Sequence, residues 1–232
     1  DIMLAARSGK CIRFPVTDVR VFVGRNSTGV RGIKLGKDDE VISMSVLNHS
    51  DATSEEREEF FRLKRMEAEG QELDFSNLSQ EFYERMKANE QFILSVTTTG
   101  YGKRSSSYEY RVTGRGGQGI ANMEMSARNK EVASSFPIED NNQIMMVTDG
   151  GKLIRMPVAD IRVAGRKTQG VILFRLGDDE KVVSVTWLDA DDGDDEELED
   201  ETGSEVLGES APDADDDADD AIAEPEMTDD QE

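Results

Sequence analysis

Short apolar runs with alternating polarity recur along residues 1–188, separated by turns rich in Gly and Asp. The stretch from Gln143 to Leu188 shows the pattern most clearly. Ile144-Met145-Met146-Val147 leads into Thr148-Asp149-Gly150-Gly151, a turn of residues that accept positive φ. Lys152-Leu153-Ile154-Arg155-Met156-Pro157 alternates in polarity and closes on a proline, which suits a strand end or edge. Asp160-Ile161-Arg162-Val163 and Val171-Ile172-Leu173-Phe174-Arg175-Leu176 read as two more strands. A polar turn, Gly177-Asp178-Asp179-Glu180, then precedes Val182-Val183-Ser184-Val185. The period of two predicts roughly four strands in this unit, the content of a propeller blade.

The unit is used three times. Gly165-Arg166-Lys167-Thr168-Gln169-Gly170 shares its frame with Gly24-Arg25-Asn26-Ser27-Thr28-Gly29 and with Gly114-Arg115-Gly116-Gly117-Gln118-Gly119. Upstream of each frame stand Arg20-Val21, Arg111-Val112 and Arg162-Val163, and further back Gly9, Gly100 and Gly151. A repeat of about fifty residues falls in the range of propellers and related arrays, whose units must pack on one another to cover their apolar faces. The expected organisation is a blade at 1–47, a different segment at 48–90, blades at 91–142 and 143–188, and a tail at 189–232.

Segment 48–90 changes period. Thr53 followed by Glu56 is a capping-box pattern, Phe60, Phe61, Leu63 and Met66 are its apolar positions, and Gly70 ends the run. A second helix is expected from Leu78 to Ala88, capped by Ser76 or Asn77. The pair reads as a helical hairpin inserted in a loop, where insertion costs little entropy. A surface ornament is the plainer reading, a partner-binding hairpin the other.

Charge divides the same way. The formal net of −23 hides three regions. Residues 189–232 hold 23 acidic residues and no Lys or Arg, and 48–90 hold 12 acidic against 6 basic. The repeats hold 21 basic against 15 acidic residues, a net of +6. A mildly basic body with an acidic arm suggests a nucleic-acid surface. The tail has too little apolar surface to offset the entropy of ordering and is expected to be disordered. Cys11 is the single cysteine, so no internal disulfide forms, as in a reducing cytosol. No apolar run reaches the length of a membrane span. The abrupt start, with Asp1 leading straight into Ile2-Met3-Leu4-Ala5, reads as a piece of a larger polypeptide.

No catalytic constellation emerges. His49 is the single histidine and lies in the insert beside Ser50 and Asp51. No Cys and His spacing fits a metal, and Asp38-Asp39-Glu40 and Asp178-Asp179-Glu180 read as solvated turns. Tyr101, Tyr108 and Tyr110 have no neighbour that would activate them. Basic residues instead recur in register. Lys10 and Arg13 match Lys152 and Arg155, with Lys103 and Arg104 read as their counterparts; Arg20, Arg111 and Arg162 form a second row, and Arg25, Arg115 and Arg166 a third. Arg31, Lys34 and Lys167 complete the candidate set. Cations repeating once per blade suit a phosphate backbone, whose affinity comes from counterion release. Ordinary solvated side chains are the plain alternative for any one of them.

Several motifs also carry a resemblance. Gly100-Tyr101-Gly102-Lys103-Arg104, Glu109-Tyr110-Arg111-Val112-Thr113 and Arg115-Gly116-Gly117-Gln118-Gly119 resemble the penultimate blade of the C-terminal domain of DNA gyrase A proteins. Gly165 through Leu173 looks like its last blade, and Thr28 through Gly36 is similar to the blade before those. The signature Q-R-R-G-G-K-G box of the first blade is absent, and its nearest echo, Thr113 through Gly119, carries Gln118 in place of the lysine. The resemblance implies an all-β, propeller-like β-pinwheel that bends double-stranded DNA around a basic rim. It implies a partnership with the gyrase B protein in an A2B2 heterotetramer in the cytoplasm. That holoenzyme is an isomerase, an ATP-dependent type II topoisomerase that uses ATP and Mg to introduce negative supercoils. Its catalytic residues and cofactor sites belong to segments other than this one, so no cofactor is expected here. The acidic tail is in character for gyrase A, and a tethered polyanion is expected to restrain wrapping. The topoisomerase IV domain, which shares the blades, and a propeller for protein recognition are the other readings.

Overall fold

A computed structural model describes residues 1–177 and 179–189; the expected tail, apart from Asp189, lies outside the described residues. The first repeat supplies β1 (Ile2–Ala6), β2 (Lys10–Phe14) and β3 (Val41–Val46). The second supplies β4 (Phe92–Thr97), β5 (Tyr101–Ser106), β6 (Ile120–Ala121) and β7 (Val132–Ile138). The third supplies β8 (Gln143–Thr148), β9 (Leu153–Pro157), β10 (Val171–Ile172) and β11 (Val182–Leu188). In each repeat the first strand sits between the second and the last, all antiparallel, as β3-β1-β2, β7-β4-β5 and β11-β8-β9.

The fourth strand comes from the next repeat. β6 of the second repeat pairs with β2 of the first, Lys10 opposite Ala121 and Cys11 opposite Ile120. β10 of the third pairs with β5 of the second, Val171 opposite Gly102 and Ile172 opposite Tyr101. The third sheet has only three strands among the described residues. The last glycine of the second and third frames explains how the chain crosses over. A Cβ on Gly119 would stand 2.3 Å from the Cys11 carbonyl oxygen, and one on Gly170 2.6 Å from that of Gly102, with φ at +74° and +81°. Only glycine permits both the conformation and the approach.

Two expected strands are corrected. Asp160–Val163 is not a strand: Pro157 opens a 3-10 turn at Val158–Asp160, matched by turns at Val16–Asp18 and Ser107–Glu109. Beyond it only Val163 bridges to a neighbour, Arg104, in parallel. The run from Val171 stops after Ile172, because Leu173 and Phe174 both donate their N–H to the Gly100 carbonyl.

Exchange also decides which strands are covered. Along β2 every residue after Lys10 is buried, and along β5 every residue after Tyr101, whereas β9 keeps an exposed–half-buried alternation. The shared core between the second and third repeats includes Leu94, Val96, Ile144, Met146, Val158 and Ile161.

The insert forms α1 (Ser54–Ala68) and α2 (Gln80–Ala88). Thr53 and Glu56 close a reciprocal capping box. The second helix starts later than expected, and its cap is Ser79, whose hydroxyl accepts from the Phe82 N–H; Ser76 is instead held in a turn by the Asp74 carboxylate. Phe60, Leu63, Leu78, Tyr83 and Met86 form a small core that takes in Tyr108 from the second repeat. The Tyr108 ring meets Phe60 edge-on at 5.4 Å, and its hydroxyl donates to the Met86 carbonyl at 2.9 Å. A repeat residue thus docks the hairpin onto the second blade. Among the described residues, no helix is long and apolar enough to cross a membrane.

Candidate nucleic-acid interface

The candidate cations separate by the strand or loop that carries them. Arg13 lies in β2, covered on both faces, and is 3% exposed. Its guanidinium donates to the Ser107 carbonyl at 2.8 Å and the Asn48 carbonyl at 2.7 Å, and pairs with the Asp1 carboxylate at 2.8 Å. Burial pulls its pKa down to about 10. Arg104 holds the same place in β5 and is 6% exposed. It donates to the Ile161 carbonyl at 2.8 Å and pairs with Asp140. Each therefore reaches forward to the 3-10 turn region of the next repeat.

Lys103 does not share the place of Lys10 and Lys152. Counted from Gly9, Gly100 and Gly151, its equivalents are Ile12 and Ile154. It points inward, is fully buried, and donates from Nζ to the Gly165 carbonyl at 2.7 Å and to that of Arg166. Burial first, offset by Glu109, sets its pKa at about 8.

Arg115 and Arg166 reach backward. Arg115 donates to the carbonyls of Asp18 at 2.8 Å and Arg31 at 3.1 Å. Arg166 donates to the carbonyls of Glu109, at 3.1 Å, and Ala121, the equivalent residues one repeat on. In the second and third repeats the Gly-Arg frame is thus a clasp onto the repeat before.

The remaining row faces outward. Arg20, Arg111 and Arg162 each stand two residues past their 3-10 turn, and all three are exposed. The parallel bridges Arg13–Val112 and Arg104–Val163 fix the backbone immediately after Arg111 and Arg162. Arg20 stacks 5.5 Å from the Phe22 ring centre. Lys10, Arg25, Arg31, Lys34 and Lys167 are also exposed. Lys152 is exposed but paired with Glu180 at 2.7 Å, which with Thr148 and the Gly177 N–H holds that carboxyl at about 2. Arg155 is exposed and donates to the Gln143 side chain. Two further cations, Lys64 and Arg65 on α1, lie near this surface. The net acidity of the insert hid them, although Phe61, Lys64 and Arg65 have the spacing of one helix face.

Other polar groups do structural work. Tyr110 donates from its hydroxyl to the Asn122 side chain at 2.8 Å, and burial raises its pKa. Burial likewise pushes the Cys11 thiol up to about 12. Asp38 and Asp179 occupy the left-handed region at φ +60° and +63°, the same place in the acidic turns of the first and third repeats. Among the described residues no group of three or more His, Cys, Asp or Glu is placed to hold a metal ion.

A family model described as the DNA gyrase C-terminal domain, a beta-propeller, matches residues 1–48, 91–135 and 142–186 and passes over the helical insert. Among curated proteins, the DNA gyrase A protein of Granulibacter bethesdensis is 48% identical over 207 residues, covering 80% of this chain and 22% of its own length. That of Rickettsia prowazekii is 45% identical over 195 residues, covering 81% and 22%. The chain thus spans about a fifth of the length of these relatives. Among solved structures, the C-terminal domain of DNA topoisomerase IV superposes with a TM-score of 0.59 at 19% identity, covering 82% of this chain and 46% of that one. The DNA gyrase A C-terminal domain gives 0.57 at 18%, covering 80% and 50%. At such identities these two likenesses speak for the fold alone.

Proposed function

Since the chain belongs to the DNA gyrase C-terminal domain family, we propose that it binds duplex DNA along the outward row of Arg20, Arg111 and Arg162 and bends the duplex around the blades. In the whole enzyme, with the gyrase B protein in an A2B2 assembly in the cytoplasm, this wrapping would serve ATP-dependent negative supercoiling. One observation carries the reading. Three consecutive repeats place an exposed arginine at the same position, on a body whose repeats net +6 (21 basic, 15 acidic residues). Evenly repeated cations suit a regular polyanion read through its phosphates, not its bases. The acidic tail acts as a competing polyanion at high effective concentration.

Duplex binding measured against salt tests this. Log K should fall linearly with log salt, by about 0.9 per phosphate contacted, and Arg20→Ala with Arg111→Ala should weaken binding while leaving thermal stability unchanged. Removing residues 189–232 should tighten binding at low salt, and linking-number change on ligation of nicked circles reads the wrapping. Salt-insensitive binding, or affinity indifferent to both arginines, would defeat the reading.

A further inference from the structure

Resting on that DNA-binding reading, we propose that the helical insert forms a second wall of the DNA path, with Arg65 of α1 and Arg162 of the third repeat together holding a phosphate of the duplex backbone. A groove of about 660 Å³ separates α1 from segment 162–171. From α1 it receives Phe61, Lys64 and Arg65, positions i, i+3 and i+4 of one face, and none of the helix's carboxylates lines it. The opposite wall is built from Arg162 and small residues such as Ala164, Gly165 and Gly170, which leave room for a chain of phosphates and sugars.

Charge selects the occupant. Lys64, Arg65, Lys103 and Arg162 face the groove against Glu90 and Glu109, four cations to two carboxylates. Both carboxylates are committed. One oxygen of Glu90 takes Lys64 and the other is buried, while Glu109 accepts the Arg166 N–H at 2.6 Å. Lys103 is spent on loop carbonyls. Arg65 and Arg162 are exposed, and among the described residues neither belongs to an ion pair. An excess of cations with two guanidinium groups open to the groove fits an anion that accepts forked hydrogen bonds, as a phosphodiester does. The hairpin is fixed in place for this by Tyr108 and by the Lys64–Glu90 pair.

The test compares two single variants of the 232-residue chain on linear duplex DNA across a salt series. Arg65→Ala should lower affinity at low salt and reduce the slope of log K against log salt by about 0.9, the loss of one phosphate contact. Arg85→Ala removes the same charge from an exposed site on α2 outside the groove and should keep the full slope. Equal behaviour of the two variants would overturn the second wall and leave the DNA reading standing. A chain that binds no duplex before substitution would defeat the DNA reading itself, and this proposal with it.

Discussion

The loop 24–29 and the loops 114–119 and 165–170 share one sequence frame and end in different surroundings. Gly119 and Gly170 press against the backbone of the preceding repeat, whereas Gly29, at φ +81°, meets nothing within 4 Å among the described residues. Arg115 and Arg166 close on carbonyls one repeat back, while Arg25 is exposed, as are Val21 and Val23 at 91% and 108%. Conformation here is local, and it is the neighbouring repeat that turns a loop into a joint. A residue that recurs once per repeat therefore reports contact between repeats as readily as contact with a ligand.

The sharpest break comes from adding one methyl group. Gly119→Ala should cost roughly 3 kcal/mol, from left-handed strain plus the clash with Cys11, against about 1 kcal/mol of strain alone for Gly29→Ala. Chemical denaturation of the two variants reads the difference; equal losses would mean that the crossover is loose. Next in size is the clasp. Arg166→Ala leaves two carbonyls without their donor and should cost about 1–2 kcal/mol, whereas Arg25→Ala should stay within about 0.5 kcal/mol. Thermal unfolding at fixed salt measures both.

The smallest effect is a slope. Lys103 lies beneath loop 165–170 where Ile12 lies near Gly117 of loop 114–119. The folded pKa of Lys103, about 8, lies below its ordinary 10.5, so between those values the unfolded chain holds more protons and stability rises with pH. The gain cannot exceed about 1.4 kcal/mol per pH unit. Lys103→Ile, copying the first repeat, should remove that part of the rise. Parallel pH curves for parent and variant would show that Lys103 does not titrate in this range.

The repeats, their hairpins and the capping box at Thr53 could be read from the sequence because each is written in neighbouring residues. The exchange of strands could not, because two-residue strands such as Ile120–Ala121 carry no period, and β6 pairs with a strand in the preceding repeat, far away in the chain. The inward arginines misled for a related reason. Arg13 and Arg155 look alike in alignment, but Arg13 sits in Cys11-Ile12-Arg13-Phe14, an otherwise unbroken apolar run, the mark of a strand covered on both faces. Leu153-Ile154-Arg155-Met156 is nearly as apolar, yet β9 lacks a fourth strand among the described residues and stays half open. The outward row gave no local sign that distinguished it from the others. The turns that aim Arg111 and Arg162 depend on backbone pairing with the repeat before.

Strand exchange has one more consequence. The pairing of β2 with β6 spans the insert from either side, so the two stretches of chain flanking the helices are stitched together independently of the peptide that joins them. A protease that cut the surface link between α1 and α2 would sever the polypeptide and still leave a single folded body.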